Sequence, residues 1–461
     1  MSTIFLYNTL SREKEEFKPI KKGQIGLYTC GPTVYNYAHL GNLRTYLFED
    51  FLKRVLLFND YKVKHIMNIT DVGHLTGDRD MGEDKLELGA KRENKTAWEI
   101  ANFYLAAFKK DLENLNILAP SKWYKATETI REQIKLIKTL EKKGYTYKTS
   151  DGIYFNTVKF GGYTKLSHQD LKSLQEGARV EKNDEKRNLA DFALWKFSPE
   201  NEQRQMEWKS PWGIGFPGWH TECSAMSLKG LGKQLDIHCG GVDHINVHHT
   251  NEIAQSEAAT GRKFFNYWLH GAFLIISGGK KMAKSEGNFL TLKSELLDRK
   301  ISPLAFRLAA LQVHYHKPME YSAETILNAD QALKSLYGRL EELGEKVGKI
   351  NQKYRQRFIT AINDDLNMPQ ALAITQQMLK DNTIKTEDRV ATALDFDRVL
   401  ALNFKEQLSW QAPQPVLTLA KTRDEARQVK DFSRADDLRV KIEGLGYKVA
   451  DSSEGTRILR S

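Results

Sequence analysis

The chain is poor in cysteine, with Cys30, Cys223 and Cys239 the only three in 461 residues. That excludes a disulfide framework and fits a reducing compartment, so each thiol is a candidate for chemistry. No apolar run reaches the ~18 residues of a membrane span, and the opening stretch MSTIFLYNTLSREKEEFKPIKKG lacks the apolar core of a secretory signal. A cytoplasmic protein with no membrane partner is expected. Internal repeats and low-complexity tracts are absent as well.

What is present is length and positive charge. A hydrophobic fraction of 41% over 461 residues can fill several cores, so three or four domains are expected. The balance of 69 basic against 59 acidic residues gives a formal net charge of +10. Such a charge suits a polyanionic partner, and it equally suits a solvated lysine-rich surface.

QIGLYTC (24–30) reads as a strand, Leu43, Leu47, Phe51 and Val55 make the stripe of an amphipathic helix, and YKVKHIMNIT reads as a second strand. A β-α-β unit with a short connection predicts a parallel sheet. Residues 1–119 are therefore expected to form the first half of an α/β, Rossmann-like doubly wound parallel-sheet domain. An insertion of short strands and charge follows at 120–205. The second half, 206–275, carries LDIHCGG and the helical NEIAQSEAATG, and the strand-like FLIISG then leads into a lysine-bearing loop region, 276–320. Long periodic segments predict a helical bundle over 321–410. QAPQP sets off a small α+β tail, 411–461, whose helix face Phe432, Ala435, Leu438, Ile442 and Leu445 stops at Gly444–Gly446 before a strand at Tyr447–Val449.

In open α/β sheets, ligands sit beyond the carboxyl ends of the strands. That position holds Cys30, Gly31, Pro32 and Thr33, then His39-Leu40-Gly41-Asn42 entering a helix. Free N–H groups at a helix start, with His39 and Asn42 beside them, suit a triphosphate, although histidine and asparagine there also serve simply as caps. GGKKMAKSEGN (278–288) brackets Lys280, Lys281 and Lys284 with glycines, and preplaced cations of this kind stabilise charge on a phosphoryl group. A solvated turn is the plain alternative for that loop alone. His248 and Glu252 lie four apart, on one helix face, and with Cys223 and Cys30 they make a Cys₂HisGlu set suited to zinc. Its spacing is scattered, and an i,i+4 His/Glu pair is also an ordinary surface neighbour pair. Cys239 is expected to be a small buried residue. Near such an ion Trp219 could wall a pocket, Asp243 could receive an amino group, and Thr70 could donate a hydrogen bond.

Taken together, CGPTVYNYAHLGN, MNITDVGHL, GWHTECSAM, HHTNEIAQSEA, KMAKSEGN and the terminal DFSRADDLRVKIEGLGYKVADSSEGTR resemble the cysteinyl-tRNA synthetases, a family of class I aminoacyl-tRNA synthetases. The resemblance runs from about residue 3 to 458. It departs from the common pattern at Asn42 (second histidine of HIGH), Ala283 (a serine in KMSKS), Thr250 (a frequent glutamate) and DVGHLTGDRDMGEDK (a DIDDK stretch).

The resemblance implies that Pro32–Asn42 is the HIGH region and Lys281–Ser285 the KMSKS loop. It implies catalytic roles for His39, Asn42, Lys281 and Lys284, and ATP contacts from Pro32, Thr33, His39, Gly41, Asn42 and Lys284. Gly31, Thr70, Trp219 and Asp243 would meet the amino acid, and Cys30, Cys223, His248 and Glu252 would hold one Zn2+. The implied reaction makes cysteinyl-adenylate from L-cysteine and ATP with Mg2+, then charges tRNA-Cys, with 411–461 reading the anticodon; a monomer is expected. A cysteine ligase acting on an amino sugar in mycothiol synthesis shares the catalytic half, and a non-catalytic RNA-binding paralogue would keep the scaffold. The long region after residue 320 argues against the first, and the intact candidate site against the second.

Overall fold

Gln24–Thr29, Lys62–Ile69, Leu235–Gly241 and Phe265–Gly271 are short strands whose side chains are largely buried, and Lys122–Lys125 is a partly exposed fifth strand at their edge. Strands covered on both faces belong in a parallel sheet flanked by helices. The computed structural model, which describes residues 2–73, 85–169, 184–199, 204–276, 280–281, 289–410, 412–452 and 455–460, bears this out. The sheet order is Phe265–Gly271, Leu235–Gly241, Gln24–Thr29, Lys62–Ile69, Lys122–Lys125, with every pair parallel. From Gln24–Thr29 the chain winds outward one way, and it later returns to the other side through Leu235–Gly241. The order therefore reverses between those two strands, which is where a ligand crevice opens in this architecture.

Two sequence expectations are revised in detail. FLIISG does not join the parallel sheet: Leu274–Ile276 pairs with Lys280–Lys281 and Met319–Tyr321 in a separate three-stranded sheet. The fifth parallel strand is FNYWLHG, Phe265–Gly271. The stretch 120–205 gives its first strand, Lys122–Lys125, to the parallel sheet; from Thr146 the chain builds a five-stranded antiparallel sheet that runs on to Pro217.

Helix Leu40–Phe58 follows the first strand, and its apolar stripe is there as read. Its opposite face is buried too, including Arg44, Glu49, Asp50, Lys53 and Arg54. Asp50 and Arg54 survive there because they are paired: Asp50 Oδ2 accepts from Arg54 at 2.8 Å and from Arg307 at 2.6 Å, and Oδ1 accepts the Leu118 N–H at 2.9 Å. Burial alone would push the Asp50 carboxyl up, but the two guanidiniums outweigh it and hold it below its usual value.

The chain divides into two units, Met1–Ile326 with Thr360–Pro369, and Leu327–Ile359 with Gln370–Ser461. The second is mainly helical through Leu400. Its end has a small core of Ala412, Val416, Ala420 and Ile442. Gln414 already opens a helix, Gln414–Gln428, where the sequence suggested a linker; proline fits its first turn because the missing N–H is unbonded there anyway. The final strand is half of a hairpin, Tyr447–Ser452 with Gly455–Arg460. Among the described residues no helix is long and apolar enough to cross a membrane.

Candidate active site

At the switch point Cys30 leaves its strand with its N–H donated to the Cys239 carbonyl at 3.1 Å. Gly31 follows because nothing larger fits: a Cβ there would lie 1.8 Å from the Asn68 carbonyl oxygen. Its N–H donates to Asn68 Oδ1 at 2.7 Å. Thr70 N–H donates to the Pro32 carbonyl and Val34 N–H to the Thr70 carbonyl, so the two strand ends stay together past the regular sheet.

His39 is the N-cap of helix Leu40–Phe58. Its Nδ1 accepts the Asn42 N–H at 3.1 Å, and Asn42 Oδ1 accepts the His39 N–H at 3.3 Å, a reciprocal capping box. An accepting Nδ1 puts the imidazole proton on Nε2, the tautomer that can donate to an anion. Gly41 is required beside it, since a Cβ would lie 2.9 Å from the His39 ring. Lys281 and Phe289 flank the lysine loop. Lys281 pairs through its backbone with Ile275, Leu40 N–H donates to the Leu290 carbonyl at 2.8 Å, and Phe289 meets the His39 ring edge-on at 5.8 Å. Lys284 itself lies outside the described residues.

A cavity of about 450 Å³ opens here. It is lined by Cys30, Gly31, Pro32, Thr33, His39, Gly41, Asn42, Trp219, Cys223, Asp243 and His248, so most of the residues singled out from sequence converge on it. Thr70 and Glu252 do not line it. Thr70 is buried behind the wall, its Oγ1 accepting from Asn68 at 3.1 Å, and Glu252 lies behind His248.

Trp219 opens helix Trp219–Leu231, which buries Cys223 one turn on, and its ring stacks on His248 at 4.3 Å. Between Leu235–Gly241 and helix Thr250–Thr260 the chain makes a wide π-helical turn, Ile245–His249, a device common at functional sites. The turn leaves both His248 and His249 buried. Metal-ligating atoms of Cys30, Cys223, His248 and Glu252 all lie within 4.8 Å of one another, every one buried. The cysteines are free thiols. Glu252 Oε2 is 3.1 Å from His238 Nε2, and Oε1 is 3.1 Å from His248 Nε2.

Burial pushes both thiols up. Cys30 stays well above its usual value, while the Cys30 hydrogen bond and the neighbouring His248 outweigh burial at Cys223 and lower it. Against burial, Cys223 and Glu252 raise His248 to about 10, and His238 and His248 lower Glu252 to about 2. Two sulfurs, an imidazole and a carboxylate fit a borderline-soft tetrahedral cation such as zinc, and fit neither magnesium nor calcium.

What sequence reading missed is the histidine shell. Besides His248, five of the twelve histidines, His220, His238, His244, His249 and His270, gather around this site. His249 Nε2 is 3.3 Å from Cys30 Sγ, His249 Nδ1 is 2.8 Å from His270 Nε2, and His220 Nδ1 is 2.9 Å from His248 Nδ1. The signal was their crowding into residues 220–270. A second donor set, Cys30, His238, His249 and Glu252, overlaps the first.

Fold and site together define a class I tRNA synthetase: residues 16–331 match the family described as tRNA synthetases class I (C) catalytic domain. The fold is also that of Mycobacterium tuberculosis methionyl-tRNA synthetase, with TM-score 0.54 and 14% identity over 84% of this chain and 91% of that one. Among curated proteins the chain is 48% identical to cysteine–tRNA ligase 1 of Burkholderia lata over 99% of this chain and 96% of that protein. It is 42% identical to the cysteine–tRNA ligase of Treponema denticola over 98% and 99% respectively. The chain belongs to the cysteine–tRNA ligase family.

Proposed function

We propose that this chain activates L-cysteine with ATP and Mg2+ and passes the cysteinyl group to the 3′ end of tRNA-Cys. The observation that carries the reading is one cavity lined by Cys30, Cys223 and His248, with Glu252 behind His248, and by a capped helix start that carries His39. Cys30, Cys223, His248 and Glu252 would hold Zn2+, which supplies a centre that takes a thiolate in preference to a hydroxyl. The Trp219 ring, fixed by stacking on His248, closes the side-chain space to the size of a small residue. The Asp243 carboxylate receives the substrate ammonium; Gly41 and the first turn of helix Leu40–Phe58, with His39 Nε2–H and Asn42, receive the phosphates. The substrate carboxylate attacks the α-phosphorus and pyrophosphate leaves, its growing charge met by Lys281 and Lys284. A terminal ribose hydroxyl then takes the acyl group and AMP departs.

Residues 411–461 are assigned to the anticodon end of the tRNA, and the working form is a cytoplasmic monomer. Two assays test the reading: cysteine-dependent ATP–pyrophosphate exchange, and charging of a total tRNA pool with labelled cysteine. Exchange and charging confined to one tRNA are expected. Exchange with no tRNA charged would overturn the assignment.

A further inference from the structure

Outside the cavity, His314, His316 and Asp365 also bring ligand atoms within 4.8 Å of one another, and none of the three lines the cavity. We propose that they form a second metal site, for a divalent ion of the zinc class. His314 and His316 are two apart in HYHKP, just ahead of strand Met319–Tyr321. Asp365 sits in a turn where it and Leu366 both take left-handed backbone, φ 52° and 54°. Its carboxylate is held from one side: Oδ1 accepts the Tyr7 N–H at 2.8 Å and the Tyr315 hydroxyl at 2.6 Å. Oδ2 therefore points where it must, 3.7 Å from His314 Nε2 and 3.9 Å from His316 Nδ1. In a tetrahedral site with bonds of about 2.0–2.2 Å, neighbouring ligand atoms stand about 3.3–3.6 Å apart, so both His–Asp separations are within a few tenths of an ångström of that spacing.

The chemistry agrees with the spacing. A neutral His316 imidazole has one ring nitrogen whose lone pair is open to a metal. Tyr7 meets that ring edge-on at 4.5 Å and fixes it. The His314 and His316 side chains are 22% and 26% exposed, which leaves an entry path and room for a water as fourth ligand. His314 Nε2 donates to the Asp365 carbonyl at 2.8 Å, and this proton is the one a metal displaces. Lys14 beside the site is already paired with Asp364 at 2.6 Å. Two imidazoles and one carboxylate suit zinc, cobalt or nickel. A bound ion would fasten HYHKP to the turn at Asp365.

The test is equilibrium dialysis of the full-length protein against micromolar free Zn2+ near neutral pH, followed by elemental analysis. Intact protein is compared with His316→Ala and with the milder His316→Gln, each confirmed folded by circular dichroism. One equivalent fewer in both variants is expected, and the same loss in a Cys223→Ser background. The Co2+ difference spectrum between intact protein and variant should show weak ligand-field bands with no thiolate charge transfer. Equal zinc uptake by intact protein and variants would overturn the proposal and leave the three side chains as a hydrogen-bonded cluster only; a sulfur band in the difference spectrum would overturn it too.

Discussion

His39 has two separable jobs, capping the helix through Nδ1 and offering a proton from Nε2. Asparagine is among the best N-caps and has no imidazole, so His39→Asn should keep the cap, whereas His39→Ala should cost about 1 kcal/mol of stability as well. Both should slow adenylate formation by about 10²-fold, the typical loss of one charge-stabilising donor. Urea denaturation and single-turnover kinetics on the two variants separate the jobs. Lys284→Ala should lower activation by about two orders of magnitude or more, some 3 kcal/mol, with cysteine affinity little changed. Near-normal adenylate formation would remove Lys284 from the mechanism. At this scale much of the site was legible, because Cys30, Cys223 and His248 stand next to strand ends or helix starts and carry unusual chemistry. The histidine shell was not: His220, His238, His249 and His270 come from four separate elements, and only the tertiary fold shows that their rings meet.

Among the elements, helix Leu40–Phe58 bears most of the positioning, since its start brings His39, Gly41 and Asn42 to the cavity and its buried polar face is locked by Asp50, Arg54 and Arg307. Removing one partner of a buried charge network costs about 3–5 kcal/mol, so Asp50→Asn should be destabilised by that order. The sign of the pH effect follows from the lowered Asp50 value. Its contribution is present above the unfolded carboxyl value of about 3.9 and is lost as pH falls through the folded one. Urea midpoints of intact protein and Asp50→Asn should therefore differ widely at pH 7 and converge in acid. A gap that does not narrow would contradict the assignment. The stripe Leu43, Leu47, Phe51 and Val55 revealed this helix in the sequence, but four-residue spacing cannot show that the other face is buried as well. FNYWLHG went unread as a strand, because a strand covered on both faces has no alternation to recognise.

For the whole molecule, the small core of Ala412, Val416, Ala420 and Ile442 argues that the C-terminal segment holds its own shape. Truncation before Trp410 should leave cysteine-dependent pyrophosphate exchange within about twofold, while charging falls by at least about tenfold through weaker tRNA binding, which corresponds to at least about 1.4 kcal/mol of contact from the tail. Equal loss of both activities would mean that the tail is needed for folding. The bundle's periodic helices were readable; helix Gln414–Gln428 was hidden by the prolines that open it.

The central claim is that a metal on Cys30, Cys223, His248 and Glu252 selects the substrate by its thiol. Apolar pockets separate near-isosteres by only ~10²-fold, whereas a site that leaves a polar partner unmet reaches ~10⁴–10⁵. The most direct measurement is the ratio of kcat/KM for cysteine to that for serine in ATP–pyrophosphate exchange, taken on zinc-loaded protein, zinc-stripped protein and Cys223→Ser. The account predicts a ratio of at least about 10⁴ for the loaded protein, with cysteine activation collapsing in the other two. A zinc-stripped protein that still activates cysteine and still rejects serine would contradict it.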